Sequence, residues 1–119
     1  MAHIELEPDR LHVRLGPLEK LGALHGDLCI PLAAISSVRV DADPFASVRG
    51  LRAPGVGVPR VALLGTWRRR RGSSFVAAYR GQPAIVLDVD DERHERVIVS
   101  TADAASMRRT ITKALAAHR

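Results

Sequence analysis

Glu95-Arg96-Val97-Ile98-Val99-Ser100-Thr101-Ala102-Asp103-Ala104-Ala105-Ser106-Met107-Arg108-Arg109-Thr110-Ile111-Thr112-Lys113-Ala114-Leu115 changes its period halfway along. The first part, Glu95 to Val99, is a short β-branched run of strand length. From Ala104 onward the apolar residues Ala104, Met107, Ile111, Ala114 and Leu115 recur at helical spacing and share one face. Arg108, Arg109, Thr112 and Lys113 fall mostly on the other face. Thr101 or Asp103 supplies an N-cap oxygen for the free backbone N–H groups of the first turn. Lys113 and Arg119 stand toward the C-terminus, where the helix dipole favours cations. A helix with such a stripe must bury it, and the open end of a strand assembly is the natural place.

Working backward, Ala84 to Val89 is a further strand, joined to the last one by the charged turn Asp90-Asp91-Glu92-Arg93. Gly81-Gln82-Pro83 turns the chain before it. Val61 to Trp67 and Ser74 to Tyr79 read as a pair of strands around a polar hairpin loop, Arg68 to Ser73. Pro44 to Arg60 contains Gly50, Pro54, Gly55, Gly57 and Pro59 and reads as a long irregular connection with room for a short strand or turn.

The N-terminal half begins with alternation. Ile4-Glu5-Leu6-Glu7 and Leu11 to Leu15 are two half-buried strands joined at Pro8-Asp9, a hairpin. Gly16-Pro17 breaks the second strand. Leu18, Leu21 and Leu24 then suggest one or two turns of helix with Pro17 at its first position. Asp27 to Leu32 is extended but interrupted by Pro31, and Ile35 to Val40 is a clearer strand closed by Asp41-Ala42-Asp43-Pro44.

About seven strands followed by one amphipathic C-terminal helix is the order of a pleckstrin-homology-like (PH-like) domain. The chain resembles the small bacterial members of that family, on Ile30-Pro31-Leu32-Ala33-Ala34-Ile35-Ser36-Ser37-Val38 entering a strand and on Glu95 to Ser100 running through Ala102-Asp103 into the helix. The resemblance covers nearly the whole chain, residues 1–119 as a single domain, and implies a mainly β fold: a partly open β-barrel capped by the helix. In lipid-binding members, basic residues of the first hairpin loop hold phosphates. Here that loop is Glu7-Pro8-Asp9-Arg10, whose two carboxylates repel phosphate, so the lipid function does not carry over. A fold of this kind hosts unrelated functions.

Composition agrees with one globular domain. The chain has 119 residues, 46% hydrophobic and 26% charged, enough to bury a core without staples. Aromatics are only 3%, too few for a base-stacking platform. The single cysteine, Cys29, excludes an internal disulfide and fits a reducing compartment. The acidic N-terminus has no apolar h-region, and no apolar run approaches the ~20 residues of a membrane span. A cytoplasmic location is the expectation.

The net charge of +5 is unevenly spread. Between Pro44 and Leu87 there is no Asp or Glu, and the window holds Arg49, Arg52, Arg60, Arg68, Arg69, Arg70, Arg71 and Arg80. Such asymmetry raises the chance of an anionic partner, but the favoured reading is the plainer one, solvated arginine loops in an arginine-rich chain. The expectation is that the hairpin arginines and those of the long connection lie at opposite ends of the fold, each a small screened cluster.

Recognised catalytic and metal patterns are missing. Gly55-Val56-Gly57-Val58-Pro59-Arg60 lacks the third glycine and the Lys-Ser/Thr pair of a nucleotide cradle. His3, His12, His25, His94 and His118 show no metal-ligating spacing. Asp88, Asp90, Asp91 and Glu92 lack the glycine and ligand spacing of a calcium loop and read as a solvated turn. Cys29, beside Ile30 in a strand, reads as a small buried apolar residue without an activating neighbour.

The expected function is therefore a non-catalytic binding or assembly module with no cofactor and no metal. Its partner is another protein or a second copy, taken up by strand addition at an open sheet edge. The alternative is an anion-binding protein, with nucleic acid or a phosphorylated ligand held by Arg49, Arg52, Arg60, Arg68, Arg69, Arg70 and Arg71.

Overall fold

The computed structural model describes residues 3–16, 28–44, 51–58, 62–69, 72–79, 81–90 and 95–118, with backbone and register alone over 51–58 and 62–69. The chain begins with a hairpin. Strands β1 (His3–Leu6) and β2 (Arg10–Arg14) pair antiparallel, Ile4 with Val13 and Leu6 with Leu11. The tip is closed by the Glu7 N–H donating to the Arg10 carbonyl at 2.9 Å. Alternation does what the sequence pattern requires: Leu11 and Val13 are fully buried, while Arg10 and Arg14 are exposed. β3 (Leu28–Pro31) pairs with β2 and completes a three-stranded sheet in the order β1-β2-β3.

Pro31 then turns the chain through one 3-10 turn, Leu32–Ala34, into β4 (Ile35–Asp41). Two backbone bonds hold this corner. Leu32 N–H donates to Asp9 O at 3.0 Å and Asp90 N–H to Ala34 O at 2.7 Å. The second sheet has six strands: β4, β5 (Leu51–Val58), β6 (Ala62–Arg69), β7 (Gly72–Tyr79), β8 (Ala84–Val89) and β9 (Arg96–Ser100), in the order β4-β8-β9-β7-β6-β5. β9 is inserted between β7 and β8, parallel to the first and antiparallel to the second. The chain therefore crosses the end of β9 between Tyr79 and Ala84. Gly81, at φ +80°, supplies a left-handed residue in that crossing that an L side chain rarely adopts. Thr101 N–H donates to Pro83 O at 3.0 Å, and Tyr79 N–H to the Ser100 hydroxyl at 2.9 Å.

The main core lies between one face of the large sheet, the three-stranded sheet and the helix α1 (Ala104–His118). Phe75, Ile85, Leu87, Val97 and Val99 meet Leu11, Val13, Ile30 and Leu32, with Ala104, Ile111 and Leu115 of α1. The helical stripe is thus buried as its spacing requires, with Met107 and Ala114 half-buried at its margin. Asp103 serves α1 through its carbonyl, which accepts from Met107 N–H at 2.8 Å. No side-chain cap bond from Thr101 or Asp103 is present among the described residues. Val76, Ala78, Ala84, Val86 and Ile98 form a second buried cluster. Because alternate residues of a strand face opposite ways, burial on both faces explains why Ala84 to Leu87 and Val97 to Val99 read as continuous apolar runs.

Mainly β with one C-terminal helix is what the structure has. The finer expectations change. There are nine strands among the described residues where about seven were expected, and they form two sheets that no ladder joins into a barrel. The two further strands are β3, in the stretch read as extended but interrupted by Pro31, and β5, in the stretch read as irregular with room for a short strand or turn. Pro54, Gly55 and Gly57 are tolerated there because β5 is an edge strand whose register breaks between Arg52 and Gly55. The expected hairpin loop from Arg68 to Ser73 is shorter, since Arg68 pairs with Ser73 and Arg69 with Gly72. The helix expected around Leu18 to Leu24 lies outside the described residues. Among the described residues no helix is long and apolar enough to cross a membrane.

Candidate interaction edge

Four strands stand at sheet edges: β1 and β3 in the small sheet, β4 and β5 in the large one. Unpaired edges are liabilities that short length, proline, bulges and charge keep closed. β1 and β3 have four residues each, and β3 ends at Pro31. β5 carries Pro54 and a register break. β4 is different. It has seven residues, no proline, and a ladder to β8 that runs from Ser37 to Asp41 after a bulge at Ser36. Val40 on this strand is the one large apolar side chain exposed among the described residues, at 37%. Arg39 beside it is exposed and Asp41 half-buried.

An ionic cluster fixes β4 on its sheet. Ser37 is opposite Asp88 of β8, and Asp88 is opposite Arg96 of β9. The Ser37 hydroxyl donates to Asp88 Oδ2 at 2.6 Å, Arg39 Nη1 to the same oxygen at 2.5 Å, and Arg96 Nε to Oδ1 at 3.1 Å. The Ser36 hydroxyl donates to the Asp88 carbonyl at 3.0 Å, which holds the bulge. Burial opposes ionisation of the Asp88 carboxyl, but the hydrogen bonds from Ser37, Arg96 and Arg39 and the charge of Arg39 outweigh it, so its pKa lies below the usual carboxylate range. Three strands are tied through one carboxylate. Arg39 stands on the edge strand, gives a single N–H inward to Asp88 on β8, and has no other acceptor among the described residues.

Asp88 is therefore no part of a solvated acidic turn. It is a strand residue between buried Leu87 and Val89. Asp91 and Glu92 lie outside the described residues. The signal in the sequence was a single charge embedded in each of two apolar strands, Asp88 in β8 and Arg96 in β9.

Cys29 also differs from expectation: it is exposed. Its neighbours Leu28 and Ile30 point into the core, so strand alternation turns Cys29 outward, opposite His12 of β2. His12 Nε2 lies 3.3 Å from Glu7 Oε1. Arg10 is held more firmly protonated by Asp9, and also by Cys29. Among the described residues no group of three His, Cys, Asp or Glu side chains could hold a metal ion.

Of the seven candidate arginines, Arg49, Arg60, Arg70 and Arg71 lie outside the described residues. Arg52, Arg68 and Arg69 are strand residues. Leu51 pairs with Arg68, Arg52 with Trp67 and Arg69 with Gly72. The register thus places Arg52, the one described arginine of the long connection, at the same end of β5 and β6 as Arg68 and Arg69. Antiparallel pairing is the reason, because the start of β5 must meet the end of β6. Compared with family models, curated proteins and solved structures, the chain finds no match.

Proposed function

We propose that this chain is a non-catalytic assembly module of the PH-like kind that accepts an extended strand along the outer edge of β4. The observation that carries the reading is the combination on one strand of an outer edge that no strand pairs among the described residues, the exposed Val40 and an arginine held in place by Asp88. Main-chain bonds supply affinity in this mode, and alternate side chains supply specificity. A mainly β chain ending in one helix with a buried stripe is the feature that supports the PH-like assignment.

The test is selection from a display library of short extended peptides, read by amide hydrogen exchange. Selected peptides are expected to slow exchange along Ser37 to Asp41, and Val40→Pro, which cannot ladder at that position, is expected to abolish binding. Peptides that bind tightly and leave β4 exchange unchanged would contradict the reading.

The register that brings Arg52, Arg68 and Arg69 together favours a second reading, an anion-binding end on the large sheet. Replacing Arg68 and Arg69 by Ser separates the two readings. The assembly reading expects only a lower retention on heparin. Saturable duplex-DNA binding at physiological salt, lost in that variant, would favour the anion reading.

A further inference from the structure

We infer that the strand taken up at the β4 edge is β4 of a second copy of this chain, in an antiparallel register centred on Val40. The inference rests on the strand-addition reading above and names its partner.

The register follows from side-chain pairing. In an antiparallel ladder, directly opposed residues share a face. Centring the pairing on Val40 opposes Arg39 to the partner's Asp41, Asp41 to the partner's Arg39, and Val40 to its own symmetry mate. Both charge pairs are then complementary, and the exposed aliphatic side chain is covered. Shifting by one residue in each chain centres the pairing on Arg39 and opposes two like guanidinium groups, which is destabilising. A further shift opposes Ser37 to Arg39 and leaves no charge pair. The strand is therefore self-complementary in one register, as a two-fold interface requires.

The groups needed are available. Among the described residues Asp41 accepts one side-chain bond, from the Asp43 N–H to Oδ1 at 2.9 Å, which leaves Oδ2 for a guanidinium. Arg39 gives Nη1 to Asp88 and keeps the rest of its fork. Neither residue has a further partner among the described residues. α1 packs on β4, and Val38 packs against the main core cluster that includes Ile111 and Leu115, while Arg39 and Val40 stay exposed. The contact is short, so the dimer forms at high protein concentration and dissociates on dilution.

The experiment is sedimentation of the full chain over a concentration series, with charge-swap variants. Wild type is expected to pass from monomer to dimer. Arg39→Asp alone and Asp41→Arg alone each set like charges opposite one another twice, and each is expected to weaken dimerisation at least about tenfold. An equimolar mixture of the two is expected to restore it as a heterodimer, because each unlike pair is re-formed. Asp41 lies outside the Asp88 cluster, so Asp41→Arg should fold like the parent. A second measurement does not depend on Arg39. With Cys29→Ser as background, Val40→Cys is expected to form an intermolecular disulfide under mild oxidation, because opposed strand residues lie within disulfide reach. Ser36→Cys is expected not to form one. A wild type that stays monomeric throughout, or a dimer indifferent to the swaps and to the position of the cysteine, would overturn the inference. A monomeric chain whose β4 is still protected by selected peptides would overturn it and leave the strand-addition reading standing. Failure in both experiments would remove both.

Discussion

The outward face of the small sheet and the Asp88 cluster of the large one use the same residue types in different surroundings. On the small sheet Arg14 Nε lies 2.6 Å from Glu5 Oε2 and Arg10 Nε 3.7 Å from Glu7, with about half of each side chain in water. On the large sheet Asp88 and Arg96 are each about 30% exposed and flanked by buried Leu87, Val89 and Val97. Water screens the first set, so its members contribute little to stability. The second set has partly lost its water and depends on its partners. Geometry alone does not separate them: the 2.6 Å pair on the small sheet is among the shortest in the structure.

The sharpest way to stress the comparison is a carboxylate with no partner at all. Ile111 is fully buried in α1, and Ile111→Asp is expected to cost several kcal/mol, roughly 3–5, through an unpaired buried charge and a lost aliphatic contact. Chemical denaturation should show it as a large drop in midpoint. A variant that unfolds like the parent would mean that α1 is not packed on the sheets.

Removing the partnered carboxylate comes next. Asp88→Ala leaves the part-buried Arg96 without its carboxylate, while the exposed Arg39 can turn to water, and is expected to cost about 1–3 kcal/mol. The pH dependence carries its own sign. The Asp88 pKa is lowered in the folded state, so the folded protein binds this proton less readily than the unfolded chain does. The stabilisation is fully present above the unfolded value of about 3.9 and is lost as pH falls through the folded value. Melting temperature against pH should decline more steeply below about pH 4 in wild type than in Asp88→Asn.

The smallest effect is expected on the small sheet. Glu5→Gln breaks the Glu5–Arg14 pair, and stability should change by no more than about 0.5 kcal/mol, with less difference still at high salt. A loss as large as that of Asp88→Ala would erase the distinction between the two regions.

What could be read from the residues follows the same division. The hairpin of β1 and β2 was legible because one face meets water, which leaves a clean alternation from Ile4 to Leu15. The stripe of α1 was legible for the same reason at helical period. β8 and β9 were legible as strands from Ala84 to Leu87 and Val97 to Val99, but not as neighbours. Inserting β9 between β7 and β8 depends on long-range pairing that no local pattern carries. β5 was hidden because Pro54 and its glycines resemble a loop unless the strand is known to be an edge. Cys29 was misread although Leu28, Ile30 and Leu32 set the parity that turns it outward. Asp88 was grouped with the acidic turn that follows it, when its apolar neighbours Leu87 and Val89 placed it in the strand.

Assembly of this kind requires the outer edge of β4 to take up a strand. Amide hydrogen exchange of the unmodified chain, followed residue by residue from dilute to concentrated solution, tests that most directly. The outward-facing amides between Ser37 and Asp41 are expected to slow as concentration rises, while those of β1 from His3 to Leu6 keep one rate throughout. Exchange along β4 that is independent of concentration would contradict self-assembly at this edge, and exchange that slows at β1 instead would place the interface on the other sheet.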